Sequence, residues 1–225
     1  MKSPESVSPD LSRVQQLKKL VAQGEGLTLE FKRKATYPEK ILREIIAFAN
    51  TQGGILLIGV NDDKTIPGLK YPEDDSHVIK EAIKKCKPKI LFEEDFIPVG
   101  NSKVVIQYVI HESDRKPHYL EVNSVKESYV RINDQSLRAS REMREVIRRS
   151  QNKKDIRFHF GDHEKLLFQY LDANENITLQ KFMTLSGLKR FFASRKLILL
   201  VLAGVLRLTP HEKGDLYSLA YRSLK

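Results

Sequence analysis

The chain has 225 residues, of which 40% are hydrophobic and 30% are charged. This composition is typical of a globular protein with one large or two small domains, and it excludes a disordered or membrane-embedded chain. Lys and Arg number 39 against 29 Asp and Glu, a formal net charge of +10. Such an excess favours polyanionic partners such as nucleic acid, and the alternative is a basic surface that serves only solubility.

The single cysteine and the N-terminal residues restrict the location of the protein. Cys86 has no second cysteine to pair with, which excludes a disulfide framework and a four-cysteine zinc site. Residues 1–10 are polar and contain two prolines, so we expect a flexible tail without the apolar core of a signal peptide. The longest apolar run, residues 197–205, is far shorter than the ~20 residues of a spanning helix. We therefore expect a cytoplasmic protein with no membrane segment.

Helical and strand patterns alternate in the first part of the chain. Apolar residues at helical spacing predict a helix over residues 11–23, and a period of two from Leu27 then predicts a strand. A second helix is predicted from Pro38 to the Gly53-Gly54 pair. Residues 55–60 are apolar on both faces and are typical of a central strand. A third helix is predicted over residues 72–85.

A strand-rich segment and a basic helix follow. Residues 92–99 and 104–110 predict one hairpin, and residues 119–123 and 128–132 predict another. A basic helix is predicted over residues 137–149. We therefore expect an α+β domain at residues 11–150, with a mixed or antiparallel sheet flanked by helices, and a linker at residues 151–162.

Residues 163–225 predict a small separate domain. Three helical patterns, with Gly187 in the turn between the last two, precede a hairpin predicted at residues 205–209 and 216–219. This order is typical of a winged helix-turn-helix. Four cations at the start of its third helix suit phosphate contact: Lys189, Arg190, Arg195 and Lys196. Because the second half of that helix is almost wholly apolar, the alternative is a dimerisation module.

Three carboxylates of the first domain form a candidate metal site. Glu30 shares the polar face of the first strand with Lys32, Glu25 lies in the preceding turn, and Asp62 follows the central strand. If the two strand ends are neighbours, these carboxylates could converge on Mg²⁺ or Mn²⁺, which prefer oxygen ligands. The alternative is a solvated Glu25, a Glu30–Lys32 ion pair and an Asp62 that only forms a turn.

Two stretches of the sequence resemble a known family. Gly-Glu-Gly-Leu-Thr-Leu-Glu-Phe-Lys-Arg at residues 24–33 and Ala-Phe-Ala-Asn-Thr-Gln-Gly-Gly, followed by the apolar strand and Asp62, resemble the Schlafen-type AlbA-like DNA-binding domain. Ser-Tyr-Val-Arg-Ile at residues 128–132 is similar to a later strand of that family. The resemblance covers residues 11–149.

The resemblance implies two kinds of function. Nuclease members of the family use a Glu-x-x-x-x-Glu pair and a later Asp as a metal-binding triad, which here implies Glu25, Glu30 and Asp62. Many bacterial relatives are instead described as DNA-binding or transcriptional-regulator proteins, and some carry an ATP-binding label. The sequence has neither a Walker A motif nor a G-x-G-x-x-G motif to support ATP binding. Nuclease Schlafens pair two lobes in one chain, so a homodimer would be needed to supply the second lobe here.

We therefore expect a nucleic-acid-binding protein similar to a DNA-binding transcriptional regulator. The alternative is a divalent-metal-dependent endoribonuclease in which Glu25, Glu30 and Asp62 bind Mg²⁺ or Mn²⁺ and Lys32 stabilises phosphate charge. Arg141, Arg144 and Arg148 share a helix face that is either solvated or contacts phosphate. The residues expected to contact nucleic acid are Lys32, Arg33, Arg131, Arg141, Arg144, Arg148, Lys189, Arg190, Arg195 and Lys196.

Overall fold

The computed structural model describes residues 11–151, 156, 158–211 and 213–221. The expected tail at residues 1–10 lies outside the described residues, as does part of the expected linker. The chain divides into two compact units, Met1–Ser136 and Leu137–Lys225. The boundary therefore precedes the basic helix, whereas we expected it to follow that helix.

Among its described residues, from Leu11 onward, the first unit contains three helices and eight strands, of which the last strand crosses the boundary between the units. They are α1 (Leu11–Gln23), β1 (Leu29–Lys32), α2 (Pro38–Asn50), β2 (Gly54–Ile58), α3 (Pro72–Lys84), β3 (Phe92–Gly100), β4 (Lys103–Ile110), β5 (Leu120–Val122), β6 (Val125–Glu127), β7 (Tyr129–Ile132) and β8 (Gln135–Arg138).

The main sheet has four strands in the order β1-β2-β4-β3. β1 and β2 are parallel, with Glu30 opposite Leu56, because α2 carries the chain back across the sheet between them. β4 runs antiparallel to both β2 and β3. The mixed sheet and its helices confirm the expected α+β class.

Helices cover both faces of this sheet. On one face, the apolar sides of α2 and α3 pack against alternate residues of β2 and β4, among them Leu56 and Tyr108. On the other face, Leu17 and Val21 of α1 pack in one cluster with Phe31 and Leu57. β2 is thus buried from both sides, as its continuous apolar run predicted.

The second predicted hairpin is wrong. β5 pairs with β6 rather than with residues 128–132, and β7 pairs with β8. Two consecutive residues with positive φ, Asn123 and Ser124, close the β5–β6 turn, which is the backbone geometry of a two-residue hairpin. Leu137 consequently lies in a strand, and the basic helix begins at Arg141 instead of residue 137.

The described residues of the second unit form four helices and three further strands. They are α4 (Arg141–Ser150), α5 (Asp162–Ala173), β9 (Ile177–Thr178), α6 (Leu179–Ser186), α7 (Arg190–Leu202), β10 (Leu206–Thr209) and β11 (Leu216–Leu219). The last three strands named form an antiparallel sheet in the order β10-β11-β9. Throughout the described parts of both units, no helix is long and apolar enough to cross a membrane.

Local signals explain where these helices begin and end. Thr178 caps α6 by accepting a hydrogen bond from the Lys181 amide, and Gly187 ends α6 with a φ of 69°. Ser140 caps α4 in the same way through Met143. The apolar second half of α7, residues 197–202, lies in the core of this unit, where Leu197 and Leu200 contact residues of α5 and the sheet.

The Gly-Gly pair lies where backbones and an aromatic ring approach closely. Gly53 has a φ of 75°, and a Cβ added to it would lie 2.6 Å from the Ile110 carbonyl oxygen. A Cβ on Gly54 would lie 2.5 Å from the Phe48 ring. Gly53 is therefore required by its positive φ and the close backbone at the end of β4, and Gly54 by the packing of α2 against β2.

Asn50 links the end of α2 to two later segments. Its buried amide nitrogen donates to the carbonyls of His118 and Tyr129 and to the Ser128 hydroxyl, at 2.9–3.0 Å. Its side-chain oxygen accepts from the His118 amide at 2.7 Å. One side chain thus satisfies four buried polar groups.

We expect Asn50→Ala to lower the free energy of unfolding by about 2–4 kcal/mol, because several buried polar groups lose their partners at ~1–3 kcal/mol each. Equilibrium urea denaturation measures this loss. The exposed neighbour Gln52 provides the control, since Gln52→Ala should change the unfolding free energy by less than about 0.5 kcal/mol. Equal effects of the two substitutions would contradict the structural role of Asn50.

Candidate nucleic-acid interface

A buried arginine connects the elements around β1. The side chain of Arg131, on β7, is 0% exposed and donates five hydrogen bonds. Two reach carboxylates at 2.6 Å, from Nη2 to Glu30 on β1 and from Nη1 to Glu44 on α2. The other acceptors are the carbonyls of Gly26 and Leu29 and the Ser136 hydroxyl.

This burial corrects the expectation that Arg131 contacts nucleic acid. The guanidinium also lies over the Phe48 ring, 5.1 Å from its centroid. All five hydrogen bonds that the guanidinium donates go to acceptors within its own unit. The Tyr-Val-Arg strand is therefore a structural feature.

The carboxylate of Glu30 is bound on both oxygens. Oε2 accepts from Arg131 and Oε1 pairs with the Lys32 ammonium, and the residue is only 5% exposed. The face of β1 that carries Glu30 and Lys32 therefore points toward α2 and β7 instead of lying open to water. Lys32 remains 31% exposed and also donates to the Phe31 carbonyl at 2.8 Å.

Glu25 lies close to the other predicted acids. Its Oε1 accepts a hydrogen bond from the Phe31 amide at 2.8 Å, so the turn does fold back onto β1. Partial desolvation raises the pKa of Glu25, and the negative charges of Glu30 and Asp62 raise it further against that hydrogen bond and the charge of Lys32. The structure thus brings together Glu25, Glu30, Lys32 and Asp62 within electrostatic reach.

Glu44 is a member of this cluster that the sequence did not indicate. Burial raises its pKa, as does the nearby charge of Glu30, although the Ser136 hydroxyl and Arg131 act in the opposite direction. In the sequence Glu44 is one of several charged residues on an amphipathic helix. What distinguishes Glu44 from the other charged residues of α2 is its hydrogen bond with the buried Arg131.

The arrangement of these acids does not fit a metal ion. A ligand must offer free oxygen lone pairs, but both oxygens of Glu30 are occupied by cations of the same unit. Across the ranges that the structure describes, no group of three or more His, Cys, Asp or Glu side chains could hold a metal. Binding of Mg²⁺ or Mn²⁺ therefore stays a prediction from the sequence.

The basic helix α4 presents some of its arginines to solvent. Arg141 and Arg148 are exposed and Arg144 is half-buried. Arg148 pairs within the helix with Glu145 at 2.6 Å, and Nε of Arg144 donates to the Ser140 carbonyl.

The inner side of α4 is held by a buried acid. Glu142 accepts from the Ser194 hydroxyl of α7 at 2.9 Å and lies 3.5 Å from Arg190. These contacts explain why α4 belongs to the second unit.

The first half of α7 and the residue before it carry three exposed cations of the predicted set. Lys189, Arg190 and Arg195 are exposed, and the Arg190 side chain is 63% accessible. Lys196 differs, because its ammonium pairs with the buried Glu164 at 2.5 Å and its side chain is only 29% exposed. Three of the four predicted phosphate contacts on this segment are therefore open to a ligand.

Two exposed aromatic residues lie among these cations. Phe191 and Phe192 are 61% and 53% exposed, and their rings contact each other edge to face at a centroid distance of 5.4 Å. The sequence pattern did not indicate them, because an apolar residue in a helix is usually part of the core. Their position between Lys189-Arg190 and Arg195 was the available signal.

Two comparisons with known proteins found similarities to this chain. Residues 25–140, just over half of the chain, match the family model described as Schlafen, AlbA_2. Among solved structures, the chain is similar to the DIP2311 protein of Corynebacterium diphtheriae, at 14% sequence identity and a TM-score of 0.46. That match covers 93% of this chain and 38% of the other protein. The AlbA_2 family is nucleic-acid-binding in general. The chain belongs to the Schlafen AlbA_2 family.

Proposed function

We propose that the protein binds nucleic acid through exposed cations of its second unit and acts as a DNA-binding transcriptional regulator. The observation that carries this proposal is the exposure of Lys189, Arg190 and Arg195, which lie in the first half of α7 and at the residue before it. Such cations raise the affinity of a protein for nucleic acid, because their contacts with phosphate groups release counterions that are condensed on the nucleic acid. The first turn of a helix adds the partial positive charge of its unpaired amides.

The arrangement of elements supports placing α7 against DNA. α6 and α7 are joined through Gly187, and the sheet of β9, β10 and β11 completes the unit. We propose that this unit is a winged helix-turn-helix in which α7 is the recognition helix. In such modules, residues near the start of the second helix contact base edges.

The exposed arginines of α4 extend this proposal. Arg141 adds a further solvent-exposed cation to the second unit. Arg148 is exposed as well, but its pair with Glu145 reduces the charge that it can offer to phosphate. α4 is therefore a secondary contact in the proposal.

The assembly and location that fit this function are also proposals. We propose a cytoplasmic protein that forms a homodimer, since symmetric dimers match the two half-sites of many regulator targets. Light scattering tests the dimer, and a monomer at micromolar concentration would contradict it.

We expect the double substitution Lys189→Glu/Arg195→Glu to weaken binding of labelled duplex DNA and RNA. The slope of log K against log salt should fall by about 2, since each phosphate contact contributes about 0.9. Fluorescence anisotropy at salt concentrations of roughly 50–200 mM measures both the affinity and its dependence on salt. Lys18→Glu/Lys19→Glu makes the same charge change on exposed residues of α1 and should have a smaller effect. Equal effects of the two double variants would contradict the proposed surface.

We expect Arg131→Met to reduce stability by about 3–5 kcal/mol, because it leaves the buried Glu30 with Lys32 alone and removes the cation that pairs with the half-buried Glu44. Urea denaturation measures the loss, and anisotropy under folding conditions should give an affinity close to that of the unsubstituted protein. The exposed Arg33 supplies the comparison, since Arg33→Met should leave stability unchanged. Weaker binding by Arg131→Met without a loss of stability would restore Arg131 to the interface.

The alternative of metal-dependent cleavage has a sharp test in Asp62→Asn. Asp62 is exposed, so this substitution removes a predicted ligand without disturbing the buried pair of Glu30 and Arg131. Because the acids do not fit a metal, we expect no cleavage of labelled RNA or DNA in Mn²⁺. Cleavage that depends on Mn²⁺ and disappears in Asp62→Asn would instead support the endoribonuclease.

A further inference from the structure

We propose that the surface at the start of α7 binds single-stranded nucleic acid and takes one unstacked base into an adjacent pocket. This inference rests on the proposed function, because it uses the same exposed cations and adds a single strand to the duplex as a ligand of the second unit. Three observations support it: a small pocket of mixed lining, a fixed polar pair in its wall, and exposed aromatic rings between cations.

The pocket has the size and lining for a single planar ring system. Its volume is about 260 Å³, slightly below the roughly 300–1,000 Å³ of pockets that enclose drug-sized ligands. Phe158, Phe192 and Leu199 are among the residues that supply its apolar lining. Aromatic faces are the usual stacking partners of bases that have left a helix.

Polar groups in the same wall can hold the edge of a base. Glu164 lines the pocket, and its carboxylate is held by the Lys196 ammonium at 2.5 Å and by the Gly161 amide at 3.0 Å. Although burial opposes ionisation, these hydrogen bonds keep the pKa of Glu164 below its usual range, so the carboxylate stays charged and holds the Lys196 ammonium in place. Lys196 also lines the pocket, and a further N–H group of its ammonium can donate to a ring nitrogen or carbonyl oxygen of the base.

The strand outside the pocket meets cations and a second ring. Arg195 lines the pocket and is exposed, which suits contact with the phosphate of the inserted nucleotide. Phe191 touches Phe192 and is exposed, so it can stack a neighbouring base. The bases of a duplex already stack on their neighbours, so they cannot stack on the Phe191 or Phe192 ring without leaving the double helix.

The test compares a single-stranded oligonucleotide carrying 2-aminopurine with the same sequence as a duplex, in DNA and RNA forms. The chain has no Trp, so the 2-aminopurine signal is free of protein emission from that residue. Binding should quench the fluorescence as the base stacks on an aromatic ring. Phe192→Ala should abolish the quenching and weaken single-strand binding roughly tenfold, with a smaller effect on the duplex.

Two further variants separate stacking from loss of apolar surface. Phe192→Leu keeps an apolar side chain without the aromatic face, and it should also lose the quenching. Tyr221→Ala removes an aromatic residue of the same unit that is 74% exposed, and it should change neither binding nor fluorescence. Circular dichroism establishes that each variant is folded.

The outcomes distinguish this inference from the proposed function. If the protein binds duplex and single strand but Phe192→Ala alters neither, the inference fails and the proposed function stands. Equal losses on duplex and single strand, or an equal effect of Tyr221→Ala, also overturn the inference. If the protein binds no nucleic acid of any form, both fail. The DNA and RNA arms show which sugar the surface accepts.

Discussion

The first unit depends on one buried charge. Removing the Arg131 guanidinium from water is costly, and a buried ion of this kind persists only where its partners satisfy it. Here Glu30 and Glu44 supply two opposite charges, and three neutral oxygens take the remaining hydrogen bonds. These partners come from β1, the turn before it, α2 and the strand after β7, so one side chain fixes the relative positions of four segments.

This arrangement changes the meaning of the acidic motif. Two carboxylates at the first strand, read from sequence, indicate metal ligands. The structure shows one of them, Glu30, neutralised by Arg131 and Lys32, whereas Glu25 remains exposed and close enough for its pKa to respond to Glu30 and Asp62. The three acids therefore match the sequence pattern of a metal-binding triad, but the carboxylate of Glu30 already belongs to an ion-pair network with Arg131 and Lys32.

The sequence predicted the elements whose signals are local. The alternation around β1 and the apolar run of β2 are patterns that a short window of sequence contains. The β5–β6 hairpin was missed because Asn123 and Ser124 adopt positive φ, which nothing in the surrounding pattern required. The burial of Arg131 was missed for a different reason: arginine is usually exposed, and its acceptors lie about 100 positions away in the chain.

The same distinction between paired and open cations applies to α7. Lys196 is held by a buried acid, and Arg190 faces Glu142 at 3.5 Å while most of its side chain remains accessible. A phosphate that draws Arg190 away would leave Glu142 with the Ser194 hydroxyl as its remaining donor from this helix, and that loss offsets part of the gain. Lys189 and Arg195 carry no such cost in the pairs described for this helix. They should therefore supply most of the salt-dependent affinity, with Arg190 contributing to the attachment of α7 to α4 as much as to the ligand.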